Sequence, residues 1–330
     1  MSFSMRTLKL NNRGLFVLIN RSGCAFAWAA RALLFIGCVS VGGGLFTTRI
    51  WETVPGERVS ELALIAAILA AVALVGVFVA RWSASTMLAI LGAVLLWRYT
   101  GTAPLAAAII FAGAAVGIGM PFVSGMGYRR WALAFVVGML LISGVVGWVL
   151  PYPIHDQLVY GLLFGGIWVF RFRVIREAVR RLVAGWRGAI RSEPRAAFFC
   201  ATVFLLGAMA LWVPTVQFDD LAGHLAIPIQ LRELRYYRLD AASQVWAMTP
   251  WTPDVIQAIV GVLAGTDARG PVNGIWYVLS AYFLWDICRS LELPRALRWL
   301  VAAAFASQPL LLALLGGMQV EIVLTALAAT

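Results

Sequence analysis

The sequence predicts an all-α fold: a polytopic transmembrane helix bundle of about ten spans, with one long extracytoplasmic loop that carries interfacial helices. Three observations predict it. Of the 330 residues, 62% are hydrophobic and only 12% are charged, where a soluble domain carries about a quarter charged. The mean hydropathy is +0.87. The apolar runs are long and unbroken rather than short and alternating, which selects helices over a barrel in a medium that cannot satisfy open backbone groups.

The spans read in order as 24–48, 61–80, 84–97, 103–123, 131–150, 156–170, 196–215, 272–288, 296–312 and 318–330. The third and sixth are short against the roughly 20 residues that a bilayer core requires, and arginines at their ends extend them by snorkelling. The N-terminus is basic, leads into the first span and shows no small-residue cleavage site, so it reads as a retained anchor. With that end in the cytoplasm, 19 of the 26 Arg and Lys residues fall on the cytoplasmic side and seven outside. The positive-inside rule then places 216–271 outside the cytoplasm, in a multi-pass protein of the plasma (inner) membrane. The net charge of +11 is assigned to topology and anionic lipid head groups rather than to nucleic acid. Cys24, Cys38, Cys200 and Cys288 sit in or beside apolar segments without ligand spacing and read as packing residues.

The first six acids, from Glu52 to Glu193, all lie in loops or at span ends, so the first six spans carry no intramembrane carboxylate. Their glycines, among them Gly113, Gly117, Gly138 and Gly144, suit close helix packing. Residues 1–195 therefore read as a scaffold, closed by the arginine-rich stretch 171–195, an interfacial cytoplasmic helix on anionic lipid. Residues 196–330 read as the region that carries chemistry.

That region centres on Asp219 and Asp220, a carboxylate pair at the outer end of the seventh span. One aspartate serves as a helix N-cap; the pair also repels itself, which a cation or a raised pKa relieves. His224, four residues after Asp220, shares its helix face, and Pro228 ends or kinks the short helix. Arg232, Arg235 and Arg238, interleaved with Tyr236 and Tyr237, fit both an interfacial anchor and a phosphate contact. The segment from Trp251 reads as structural, with Thr252 as cap and Pro253 at the first helical position. Glu321 opens the last span on the same membrane side as the aspartate pair. A carboxylate there faces a cavity or a cation, or complements the helix dipole.

The order of these features resembles the C-type (GT-C) glycosyltransferases, which take a sugar from a polyprenyl-phosphate carrier. The matching residues are Phe218-Asp219-Asp220, His224, Pro228, Pro253 and Gln319-Val320-Glu321, and the resemblance covers about residues 196–330. It implies inverting transfer from a polyprenyl-phosphate-linked sugar to a lipid, glycan or protein acceptor of the cell envelope. Asp219, Asp220 and Glu321 would be catalytic, with Asp219 or Asp220 as general base. His224 and one of Arg232, Arg235 and Arg238 would meet the donor phosphate. The cofactor is either none or a divalent cation (Mg or Mn) held by Asp220 and Glu321. The chain departs from the family in two ways. About six spans precede the acidic loop, and the chain ends at Thr330 within an apolar run, so it reads as C-terminally incomplete. The alternatives are a transporter or lipid flippase, which needs polar residues along a path through the first six spans, and a non-catalytic membrane subunit or fragment.

Overall fold

In a computed structural model the chain divides into two compact units, Met1–Ala71 and Val72–Thr330. The structure describes residues 83–123, 130–212, 220–238, 251–318 and 321–329, together with isolated helical positions 39, 67, 71, 75 and 76. The spans expected at 24–48 and 61–80, apart from those positions, lie outside the described residues, as do Cys24, Cys38 and Asp219. The elements below all belong to the second unit.

The described residues form helices and no strand. Helix α1 (Ala84–Thr100) starts on Ser83, whose Oγ accepts the Thr86 N–H at 3.3 Å. Helix α2 (Thr102–Gly119) follows directly, because Gly101 takes a φ of 89° that a residue with a Cβ rarely adopts. After α3 (Arg130–Val149) comes α4 (Gln157–Ser192), capped by Asp156, whose carboxylate accepts the Leu158 N–H at 2.8 Å. Helix α5 (Pro194–Ala208) opens on a proline at its first position, where no N–H is required, and tightens into a 3₁₀ turn over Met209–Trp212. Then follow α6 (Ala226–Leu234), α7 (Trp251–Ala264), α8 (Arg269–Ser290), α9 (Arg295–Ala306), α10 (Pro309–Gly316) and α11 (Glu321–Ala328).

Among the described residues four helical segments are long and apolar enough to cross a membrane: Thr102–Val123, Arg130–Val149, Gln157–Ser192 and Pro194–Leu211. Helices α9 and α10, bent by 59°, make a fifth if they form one broken span.

Three expectations are revised. The sixth span and the basic stretch after it are one helix: α4 runs unbroken for 36 residues. Arginine is a good helix former, and the stop comes only at Glu193-Pro194. The span expected at 296–312 is broken at Ser307-Gln308, since Pro309 has no N–H to continue the ladder and instead opens α10. Pro228 does not end its helix. It occupies the first turn of α6, where the missing N–H costs little, and α6 continues to Leu234.

Close backbone approach sets the packing of α2 on α3. A Cβ on Gly119 would collide with the Ala134 carbonyl, and one on Gly138 with the Ala115 carbonyl. One hydrophobic core takes Phe111, Met139, Phe164, Ile259, Trp276 and Leu315, and so draws on both sides of the 195/196 boundary. At one end of this bundle the last turns of α1 and α5 meet the first turn of α8. A Cβ on Gly270 would stand 2.6 Å from the Leu211 carbonyl and 2.9 Å from a Thr100 methyl. That approach brings Arg269 and Asn273 against the end of α10.

Candidate functional site

The site is assembled at this end from four separate stretches. The chain enters it at Asp220, the first residue of a single π-helical turn, Asp220–His224, which leads into α6. Asp220 is fully buried, and its Oδ2 accepts the backbone N–H of Met318 at 2.9 Å. A buried carboxylate is tolerated only with donors or cations about it. The Arg269 guanidinium, itself buried, interacts electrostatically with Asp220.

His224 closes the same turn. Its Nδ1 lies 2.9 Å from Oδ1 of Asp254, and their side chains are 14% and 6% exposed. The hydrogen bond to Asp254 is the largest influence on His224 and raises its pKa above the usual histidine range. Burial opposes that rise, and the charges of Asp254, Asp220 and Glu321 add to it. Asp254 is itself raised, chiefly by burial and also by the charge of Asp220, while His224 pulls it down. Both directions favour keeping a proton on the pair, and the geometry places it between Nδ1 and the carboxylate.

The turn between α10 and α11 forms the opposite wall and is held by side chains. Asn273 Nδ2 donates to the Leu315 carbonyl at 3.0 Å and to the Gly317 carbonyl at 2.6 Å. Arg269 Nη1 donates to the Gly316 carbonyl at 2.7 Å. Gln257, one turn beyond Asp254 on α7, donates to Asn273 Oδ1 at 2.9 Å and so orients that amide. The Asp220 carboxylate fixes the next amide, on Met318. Three consecutive carbonyls and the following N–H are thereby satisfied inside the protein.

A second support comes from the α3–α4 connection. His155 is buried, with Nδ1 2.6 Å from the Tyr160 hydroxyl and Nε2 3.0 Å from the Val149 carbonyl. Its backbone N–H donates to the Arg235 carbonyl at 3.1 Å, and the Tyr237 N–H donates to the Leu150 carbonyl at 2.7 Å. Arg235 closes α6 with a φ of 66° and pairs with Asp156 at 3.4 Å. This latch sets Tyr237, whose hydroxyl is raised first by burial and then by the charge of Asp254.

The structure therefore brings Asp220, His224 and Glu321 together, with Glu321 exposed at the first turn of α11 and felt electrostatically by His224. It does not bring the three arginines after Pro228 into this cluster. Arg232 pairs with its neighbour Glu233 at 3.1 Å, Arg235 with Asp156, and Arg238 is exposed, its backbone N–H held by Gln230 Oε1 at 3.0 Å. Among the described residues, Arg269 is a cation beside the carboxylates.

Asp254, Arg269 and Asn273 were not singled out from the sequence. For Asp254 a signal existed, since it is a charge that opens the otherwise apolar run Val255–Ala264 interrupted only by Gln257. Its helix begins at Trp251, so Pro253 stands at the third position and not the first.

The expected cation ligands Asp220 and Glu321 lie at this end of the bundle, and Asp219 lies outside the described residues. No group of three or more His, Cys, Asp or Glu among the described residues is placed to hold a metal ion. Asp220 already has the Met318 N–H, with His224 and Arg269 nearby to balance its charge. These residues can move a proton and balance charge: a buried carboxylate, a histidine–carboxylate dyad, an arginine and an exposed glutamate share one end of the bundle.

Comparison with models of protein families, with curated proteins and with solved structures finds no match to this chain. The fold defines the class: among the described residues it is all-helical, with four helical segments, or five if the bent pair is one span, long and apolar enough to cross a membrane.

Proposed function

We propose that the protein is a membrane glycosyltransferase that moves a sugar from a polyprenyl-phosphate carrier to an envelope acceptor, with inversion at the anomeric carbon. One observation carries the reading: the carboxylates Asp220, Asp254 and Glu321, from three separate stretches, stand within electrostatic reach of His224 at one end of a helical bundle. Such a site fits a reaction that needs a base for the acceptor and a positive charge for a departing phosphate. In this reading about ten spans cross the plasma membrane, the N-terminus is cytoplasmic, and the site in 216–271 faces outward, supported by the arginine asymmetry.

The chemistry balances without a further reactant. The acceptor O–H, or N–H, gives its proton to the Asp220 carboxylate as the heteroatom forms a bond to the anomeric carbon. The carbon–oxygen bond to the lipid phosphate breaks on the opposite face, and the polyprenyl phosphate leaves with the electron pair. His224, held protonated by Asp254, and Arg269 supply positive charge to that phosphate. Glu321, at the exposed rim, orients the acceptor.

The test is reconstitution of the full chain with radiolabelled polyprenyl-phosphate hexoses and pentoses and an envelope lipid extract as acceptor. Wild type is expected to transfer label and Asp220→Asn to lose it about a hundredfold or more, the usual scale for a general base. Transfer by Asp220→Asn at the wild-type rate removes the proposal.

A further inference from the structure

The second half of α4 lies along the end of the bundle opposite the carboxylate site. Arg181 sits over the Trp131 ring at 5.9 Å, at the start of α3. The Trp186 indole N–H donates to Thr86 Oγ1 at 3.2 Å, at the start of α1. Trp186 also packs edge-on against Trp299 at 6.0 Å, and Ile190 clusters with Ala197 and Trp299, near the starts of α5 and α9. Four helices begin under this segment. Its 36 residues measure about 54 Å at 1.5 Å per residue, against a bilayer core of about 30 Å. The second half therefore lies outside the hydrocarbon, at the level where those helices start.

Its arginines are arranged. Arg173, Arg176, Arg180, Arg187 and Arg191 recur at intervals of three, four, seven and four residues, which keeps them on one stripe. All five are exposed, and the described residues give none of them a carboxylate partner. Glu177, one turn from Arg173 and Arg180, pairs at 2.7 Å with Arg181, which stands off the stripe. Beside the arginines, at intervals of seven and four, run the exposed apolar residues Phe172, Val179 and Val183. Five like charges in one line repel unless an anionic surface faces them, and an apolar edge beside them suits the boundary between head groups and acyl chains.

We infer that the Arg173–Arg191 stripe of α4 is a docking surface for the anionic phospholipids of the leaflet opposite the carboxylate site. The arginines pair with head-group phosphates, and Phe172, Val179 and Val183 enter the acyl boundary. The surface does not depend on the proposed reaction.

The test uses the full chain purified from mixed phosphatidylglycerol and phosphatidylcholine micelles, with retained lipid counted by mass spectrometry. Wild type is expected to enrich phosphatidylglycerol. Replacing all five stripe arginines by Gln should cut that enrichment about tenfold or more, while Arg171→Gln with Arg181→Gln, on the same helix but off the stripe, should leave it. Undiminished enrichment in the stripe variant, or equal loss in both, overturns the inference. A nitroxide at Val179→Cys in vesicles, with every arginine in place, reads the surface independently of folding in the stripe variant. Relaxation by membrane-partitioned oxygen is expected; relaxation only by a water-soluble nickel chelate, as for a stripe turned to a soluble polyanion, overturns it.

Discussion

His224 Nδ1 stands 2.9 Å from Asp254 Oδ1, with both side chains nearly withdrawn from solvent. The two residues are 30 positions apart and reach each other from a π-helical turn and from the first turn of α7. The contact raises the pKa of His224, and this has measurable consequences.

The chain has two histidines, and they shift in opposite directions. His224 is raised, first by its hydrogen bond to Asp254, and His155 is lowered, first by burial. Histidine-selective NMR of the labelled protein should show one imidazole titrating above about 6.5 and one below it. Asp254→Asn should bring the upper one down and leave the lower one in place.

The same shifts set how stability responds to pH. For His224 the folded pKa lies above the unfolded one, so its contribution is complete below about 6.5 and is lost as pH rises through the folded value. For His155 the folded pKa lies below, so stability falls as pH drops beneath about 6.5. Denaturation midpoints from pH 5 to 9 should therefore decline on the alkaline side in wild type more than in His224→Gln, and on the acid side more than in His155→Gln.

Asn273 holds two carbonyls of the α10–α11 turn and is oriented by Gln257. Asn273→Leu keeps the volume and removes the donors, leaving buried carbonyls unpaired at a cost of about 1–3 kcal/mol. A fall in melting temperature of several degrees is expected, together with faster hydrogen exchange at the Met318 amide, which Asp220 accepts. Gln257→Leu should do less, since it removes an orienting bond and leaves the clamp.

Gly138 lets α3 rest on the backbone of α2, where a Cβ would meet the Ala115 carbonyl. Gly138→Ala should cost about 1–3 kcal/mol by overpacking, whereas Gly144→Ala, with open space around it, should be neutral or slightly stabilising. Thermal unfolding of the two variants checks the contrast.

Much of the fold was legible because apolar composition and length decide it. Helices α1, α2, α3, α5 and α8 stand where spans were expected, and of these α2, α3 and α5 belong to segments long and apolar enough to cross a membrane. The unity of α4 was not legible, because hydropathy separates an apolar half from an arginine-rich half although both propagate a helix equally well. The break between α9 and α10 was written in Pro309, yet the apolar residues continue across it. At the site, Asp220, His224 and Glu321 were visible as polar residues in apolar surroundings. Their partners were not. No spacing rule ties position 224 to 254, and Arg269 and Asn273 resemble the ordinary start of a span until α10 ends against them. Arg232, Arg235 and Arg238 drew notice by their density, while the buried arginine beside Asp220 stood alone in its segment.

The 59° turn at Ser307-Gln308 has one more effect. The bend aims the negative pole of α10 inward, onto the guanidinium of Arg269 and the amide of Asn273. The negative pole of the helix is thus met by side chains of α8.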